Sequence, residues 1–187
     1  MQRLSAFKAD SVTFGLLEKR NTSPRNVVRL KVDGPILLQT GRVVIDKDLD
    51  SGSTELTVRL EAQQAEALRK LEEKSLEYVA GMQVDWFENV DERNRFVPGL
   101  HGQVLKLKLL ADTVVFDTKR DDVSPEHYSE VANRGRHATV VFEVPYIGFA
   151  RTKFGLVYSA RQVLLLDEVK PVQHDDGIDA DDALFDT

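Results

Sequence analysis

The 187-residue chain contains no cysteine. That excludes disulfides, thiolate nucleophiles and every zinc site built on sulfur. Its four histidines, His101, His127, His137 and His174, are scattered, without metal-ligand spacing or a nearby carboxylate pattern that would mark a general base. No apolar run approaches the roughly 18 residues that a membrane span requires. The opening Met1-Gln2-Arg3-Leu4-Ser5 lacks the apolar core of a signal peptide, so an intracellular protein without membrane attachment is expected. Phosphate-binding P-loops, GxGxxG turns, G-x-S-x-G elbows and HExxH helices are all missing. Asp46, Asp48 and Asp50 begin like a calcium loop, but Ser51 and Thr57 stand where that loop needs glycine and glutamate, so they read as a solvated turn. No enzyme, cofactor or metal site is expected.

What the chain does have is 42% hydrophobic and 30% charged residues, enough for one domain with a real core. Its net charge of -6 is held by residues 174–187, which carry six aspartates and no Lys or Arg, with Leu184 and Phe185 near the end. Such a segment cannot bury enough apolar surface to offset its ordering entropy, so a disordered acidic tail is expected at 174–187, following a single domain over 1–173. The body is neutral but uneven. Residues 19–42 carry a local +5 and residues 134–161 a local +4, whereas 45–95 carry -6. Two basic segments distant in sequence can form one positive face, and an acidic tail would compete for it.

Alternation places strands at 27–32, 36–38, 42–45 and 55–60, the last with Leu56, Val58 and Leu60 on one face. The period then changes. Residues 61–79 read as a helix with Ala65, Leu68, Leu71, Leu76 and Val79 inward and Gly81 as its stop. Residues 103–110 alternate Lys106 and Lys108 against Leu105, Leu107 and Leu109; 114–116 form a short strand. A β hairpin follows over 138–149 and 154–166, with Pro145 forcing an edge or bulge and Arg151-Thr152-Lys153 at its tip. Three strands, a helix and three further strands give a mainly β class. The expected architecture is a five-stranded Greek-key OB barrel with its main helix between the third and fourth barrel strands, and an insertion around 61–110.

The hairpin interleaves Phe142, Tyr146, Phe149, Phe154 and Tyr158 with Arg151, Lys153 and Arg161. Rings stack on unpaired bases with little sequence preference and cations track phosphates, a combination suited to single strands. Alternation lets only some of these rings face outwards; the remainder are core.

Two stretches resemble a known family. In 151–167, Lys153, Phe154, Gly155, Leu156, Gln162 and Val163 are similar to the last barrel strands of small single-stranded DNA-binding proteins of phages and large nucleocytoplasmic DNA viruses. In 71–109, Leu76, Trp86-Phe87, Val97-Pro98 and Leu105-Lys106-Leu107-Lys108 resemble the middle of the large-virus branch. Tails in that family often end at an aromatic residue; here Asp186 and Thr187 follow Phe185. The resemblance implies an OB-fold protein that coats single-stranded DNA in viral replication and recombination, inside the cytoplasm or host cell. Its tail (Asp181, Asp182, Leu184, Phe185) would recruit a polymerase or helicase, and a homodimer is left open. The DNA backbone would lie across Arg29, Lys31, Arg42, Lys106, Lys108, Arg151, Lys153 and Arg161, with stacking from a subset of Trp86, Tyr146, Phe149, Phe154 and Tyr158. A β-barrel scaffold that uses the tail as a ligand, or an RNA-binding OB module, are the alternatives.

Overall fold

Alternation of apolar and polar side chains along short strands closes a barrel. A computed structural model of the chain describes residues 1–18, 27–31, 36–81, 95–150 and 153–167. Its strands in chain order are β1 (Gln2–Arg3), β2 (Thr13–Glu18), β3 (Val27–Lys31), β4 (Leu37–Gln39), β5 (Val43–Ile45), β6 (Glu55–Arg59), β7 (Leu100–His101), β8 (Val104–Phe116), β9 (Asp122–Val123), β10 (His137–Glu143), β11 (Tyr146–Phe149), β12 (Phe154–Leu156) and β13 (Ser159–Leu165). Helix α1 (Ala62–Ala80) lies between β6 and β7, and the short α2 (Tyr128–Val131) between β9 and β10.

β4 and β5 behave as one bent strand, since both pair antiparallel with β10. β5 pairs with β6 and β6 with β8, both antiparallel. β8 then runs parallel to β13, and β13 is antiparallel to β10, which closes back onto β5. Around the ring the order is first, second, third, fifth, fourth and first again, the closed five-stranded Greek-key barrel of the OB-fold. Its interior is filled by Val43, Ile45, Leu56, Val58, Leu105, Leu107, Val140, Phe142, Val163 and Leu165, each at most 1% exposed. Each such side chain contributes about 1.5–3 kcal/mol by leaving water. A one-residue slip of any strand would turn its share outwards, so the register is strongly specified.

The helix is not where the sequence order put it. Val27–Lys31, expected as the first barrel strand, belongs to a second sheet of order β12-β11-β3-β2. The barrel therefore starts one strand later, and α1 separates its second strand, β6, from its third, β8. Between the third and fourth barrel strands lie the two-residue β9, a helical turn at Pro125–His127 and the short α2. The alternating run V-V-R-L-K can pair with any free edge; here it takes β2 and β11.

Pro145 acts as expected. β10 ends at Glu143 and β11 begins at Tyr146, so the chain leaves the barrel at the proline and crosses into the second sheet as the β11–β12 arm. The arm is the connection between the fourth and fifth barrel strands. The strands expected at 103–110 and 114–116 are one 13-residue strand, β8. Its partner β13 shifts register between Ala160 and Gln162.

α1 ends at Ala80 beside Gly81, as its pattern predicts, and buries Ala65, Leu68, Leu71 and Val79. Lys74 Nζ donates to the carbonyls of Asp10 and Val12, both at 2.8 Å, which fixes the N-terminal segment against the helix. Three polar side chains, Gln64, Glu72 and Ser75, lie on the same buried stripe. No helix among the described residues is long and apolar enough to cross a membrane.

Candidate nucleic-acid interface

The outer surface of β6 and β8 follows from the register that buries their inner one. Thr57 lies opposite Lys106 and Glu55 opposite Lys108, while Leu56 and Leu107 pair inwards. β7 adds His101 beside Val104. Lys106, Lys108 and His101 are all exposed. They line a groove of about 310 Å³ whose floor is β8. Thr54 and Glu55 line it on the β6 side, and the strap formed by Val97, Pro98 and Gly99, together with Leu156, Val157 and Tyr158 where the arm returns to the barrel, lines it on the other. Val97 is 44% exposed, an apolar side chain presented at the groove's edge.

The strap and the arm are held together by close backbone contacts. Val97 N–H donates to the Phe154 carbonyl at 2.8 Å, so the strap adds to the arm. A Cβ on Gly155 would sit 2.3 Å from the Val97 oxygen, and one on Gly99 would sit 2.5 Å from the Tyr158 ring. Neither position has room for a side chain. Beneath them Glu72, 6% exposed, accepts hydrogen bonds at Oε1 from Gly99 N–H (2.8 Å), Leu100 N–H (3.1 Å) and Tyr158 O–H (3.2 Å). Burial pushes the Glu72 carboxyl above its ordinary value of 4.5, against the opposing effect of those three donors. Burial, with Glu72 alongside, raises the Tyr158 phenol well above 10, so it stays a neutral donor.

The cations expected to meet phosphate divide into two sets. Arg161 is taken by Asp112 (2.6 Å) and Glu143 (2.7 Å), and Arg29 by Glu18 (3.0 Å). These charges are compensated, which lowers their worth to a polyanion. Lys106, Lys108, Lys153 and Arg42 have no carboxylate ion pair among the described residues. Arg42 donates instead to the Asp167 carbonyl at 3.2 Å, away from the groove lining. Lys153 is exposed at the turn of the arm, whose Ala150 N–H bonds the Lys153 carbonyl at 2.7 Å. Lys31 is the last residue of β3. Trp86, Arg151, Asp181, Asp182, Leu184 and Phe185 lie outside the described residues.

The rings require a correction. Phe149, Phe154 and Tyr158 are 1%, 2% and 3% exposed and present no face to a base. Phe149 and Phe154 stack on each other with centroids 5.7 Å apart, and Phe96 packs against Phe154 at 5.4 Å. Register gives the reason: Phe149 pairs with Phe154 and Ile147 with Leu156 on the buried side, which leaves the pair Gly148 and Gly155 on the other. Tyr146, half-buried, is the arm's ring nearest the surface.

The expected calcium-like aspartates serve the turn they were read into. Asp46 pairs with Arg59 at 2.5 Å, and Asp48 Oδ1 accepts from Arg134 N–H at 2.6 Å. Sequence reasoning missed His101 and Glu72, and took Val97-Pro98 only as part of the resemblance and not as part of the site. A glutamate on the apolar stripe of α1 was the available signal.

No protein-family model matches this chain, and no curated protein does. Solved structures do. A C-terminal truncation of the single-stranded DNA-binding protein from bacteriophage Enc34 superposes with a TM-score of 0.52 at 12% identity, covering 86% of this chain and 97% of that one. The untruncated Enc34 protein gives 0.50 at 12% identity, covering 88% and 95%. The chain shares its fold with these phage proteins. Nearly their whole length is matched, so the likeness takes in the barrel together with what surrounds it.

Proposed function

We propose that this chain binds single-stranded DNA with little sequence preference. The strand lies along the groove over β8, with phosphates on Lys106 and Lys108 and the strap and arm along one side. The observation that carries this reading is a groove on the second and third barrel strands that holds Lys106 and Lys108, neither with an ion pair among the described residues, on the face with which OB-folds take oligonucleotides. The phage proteins of like fold, named for single-stranded DNA binding, support it. His101, Lys153, Arg151, Lys31 and Arg42 extend the positive path, and stacking falls to Tyr146 and Trp86. The protein acts in viral DNA replication and recombination, and its tail competes with DNA and recruits replication partners through Asp181, Asp182, Leu184 and Phe185.

Fluorescence anisotropy with labelled oligo-dT, its duplex and the matching RNA tests this directly. Oligo-dT should bind tightest. Affinity should fall steeply with salt, since each neutralised phosphate on a single strand releases about 0.7 counterion. Equal affinity for duplex, or a flat salt response, refutes the reading; tighter binding of RNA transfers it to the other nucleic acid.

A further inference from the structure

We propose that Glu72, which faces the core and not the groove, is the positioning residue that sets the two groove lysines. The claim rests on the single-stranded DNA reading for its effect on affinity, but its structural content stands alone. One carboxylate oxygen, Glu72 Oε1, receives Gly99 N–H, Leu100 N–H and the Tyr158 hydroxyl. The same two clamped residues hold the lysines through their carbonyls. Lys106 N–H donates to the Gly99 carbonyl at 3.0 Å, and Lys108 N–H to the Tyr158 carbonyl at 2.8 Å. Helix, strap, fifth strand and third strand are thus joined by two short relays, Glu72–Gly99–Lys106 and Glu72–Tyr158–Lys108.

The relays have little slack. Gly99 sits so close to the Tyr158 ring that a Cβ would lie 2.5 Å from it, so strap and ring must move together. Glu72 is 6% exposed and Tyr158 3%, so water cannot readily replace the carboxylate as acceptor. Removing it leaves two backbone donors and a phenol seeking new partners. The strap would shift, and with it the spacing at which two ammonium groups meet successive phosphates. Glutamine offers an oxygen at the same place, so the relays need an acceptor there rather than a charge.

The test compares Glu72→Gln, Glu72→Ala, Tyr158→Phe and a core truncation on the opposite wall, Leu38→Ala, in the full chain. Two readouts are taken: amide hydrogen exchange without DNA, and the dependence of oligo-dT affinity on salt, corrected for active fraction. Glu72→Ala should speed exchange at both Lys106 and Lys108 by about tenfold or more. It should also lower the salt slope by up to about 1.4, the release from two phosphates. Tyr158→Phe should speed exchange at Lys108 and spare Lys106. Glu72→Gln should restore both readouts, and Leu38→Ala should speed exchange evenly across the barrel in step with its lost stability, without singling out Lys106 and Lys108 and without moving the salt slope. Unchanged exchange at both lysines in Glu72→Ala, or a Leu38→Ala variant that mimics it, overturns the proposal. If the wild-type chain binds no oligo-dT, the functional reading fails, while the exchange data still decide the clamp.

Discussion

Replacing Phe154 by alanine separates a ring that builds the arm from a ring that stacks on DNA. Phe154 is 2% exposed, lies against Phe149 and Phe96, and has no face towards solvent. Truncating such a side chain removes its transfer free energy and leaves a cavity, a loss of about 3–5 kcal/mol. Against a domain stability of about 5–15 kcal/mol that is a large share. With a urea m-value near the upper end for small proteins, about 3 kcal/mol per molar, the midpoint should fall by about 1–1.7 M. The contact that matters to the groove, Val97 N–H on the Phe154 carbonyl, is made by the backbone and survives. Oligo-dT affinity per folded molecule, measured well below the midpoint, should therefore stay within about threefold. A stacking ring would behave the opposite way. Loss of about 1–3 kcal/mol of binding, roughly 5- to 150-fold in Kd, with an unmoved urea midpoint would refute the burial described here.

Lys106→Ala and Lys108→Ala should each lower the oligo-dT salt slope by about 0.7 while leaving thermal stability nearly untouched; an unchanged slope in the double variant removes both from the DNA path. Arg161→Ala should do the reverse, since it strands Asp112 and Glu143 without their shared cation; chemical denaturation should show the loss and the salt slope should not move. Glu72 has a pKa raised by burial, so its contribution is fully present below 4.5 and is lost as pH rises through its folded value. Glu72→Gln should accordingly gain stability relative to wild type as pH rises above 4.5, and a wild-type chain that gains on the variant as pH rises contradicts the sign. Deleting residues 174–187 removes six negative charges and should tighten oligo-dT binding, most visibly at low salt where screening is weak; unchanged affinity there dismisses competition by the tail.

Much of the barrel is legible in the chain because its signals are local. Leu56 and Val58, then Leu105 and Leu107, alternate with polar residues and are fully buried. Gly81 and Pro145 punctuate where the helix ends and where the chain changes sheet. What could not be read depends on pairing across distance. Nothing in V-V-R-L-K says that its partners are β2 and β11 rather than a barrel strand, and the helix was misplaced for that reason alone. Glu72 looks like any charged residue of a helix until Gly99, Leu100 and Tyr158 arrive from elsewhere in the chain.

The aromatic and basic hairpin is the most instructive case, because its composition was informative and its geometry was not. Which face Phe149 and Phe154 take is set by the register that places Gly148 opposite Gly155, and this in turn depends on the length of the turn between them. The structure thus separates two features that the sequence interleaves. The rings are buried within the arm and where it returns to the barrel, with Phe149 and Phe154 stacked and Tyr158 hydrogen-bonded to Glu72. Two of the cations without an ion pair among the described residues, Lys106 and Lys108, lie on β8 in the groove. If the groove is the DNA path, its affinity comes more from tracking phosphates than from reading or stacking bases. Oligomers of different base composition should then bind alike at low salt, where the phosphate contribution is greatest, and any preference among them should reveal itself only as salt weakens that contribution.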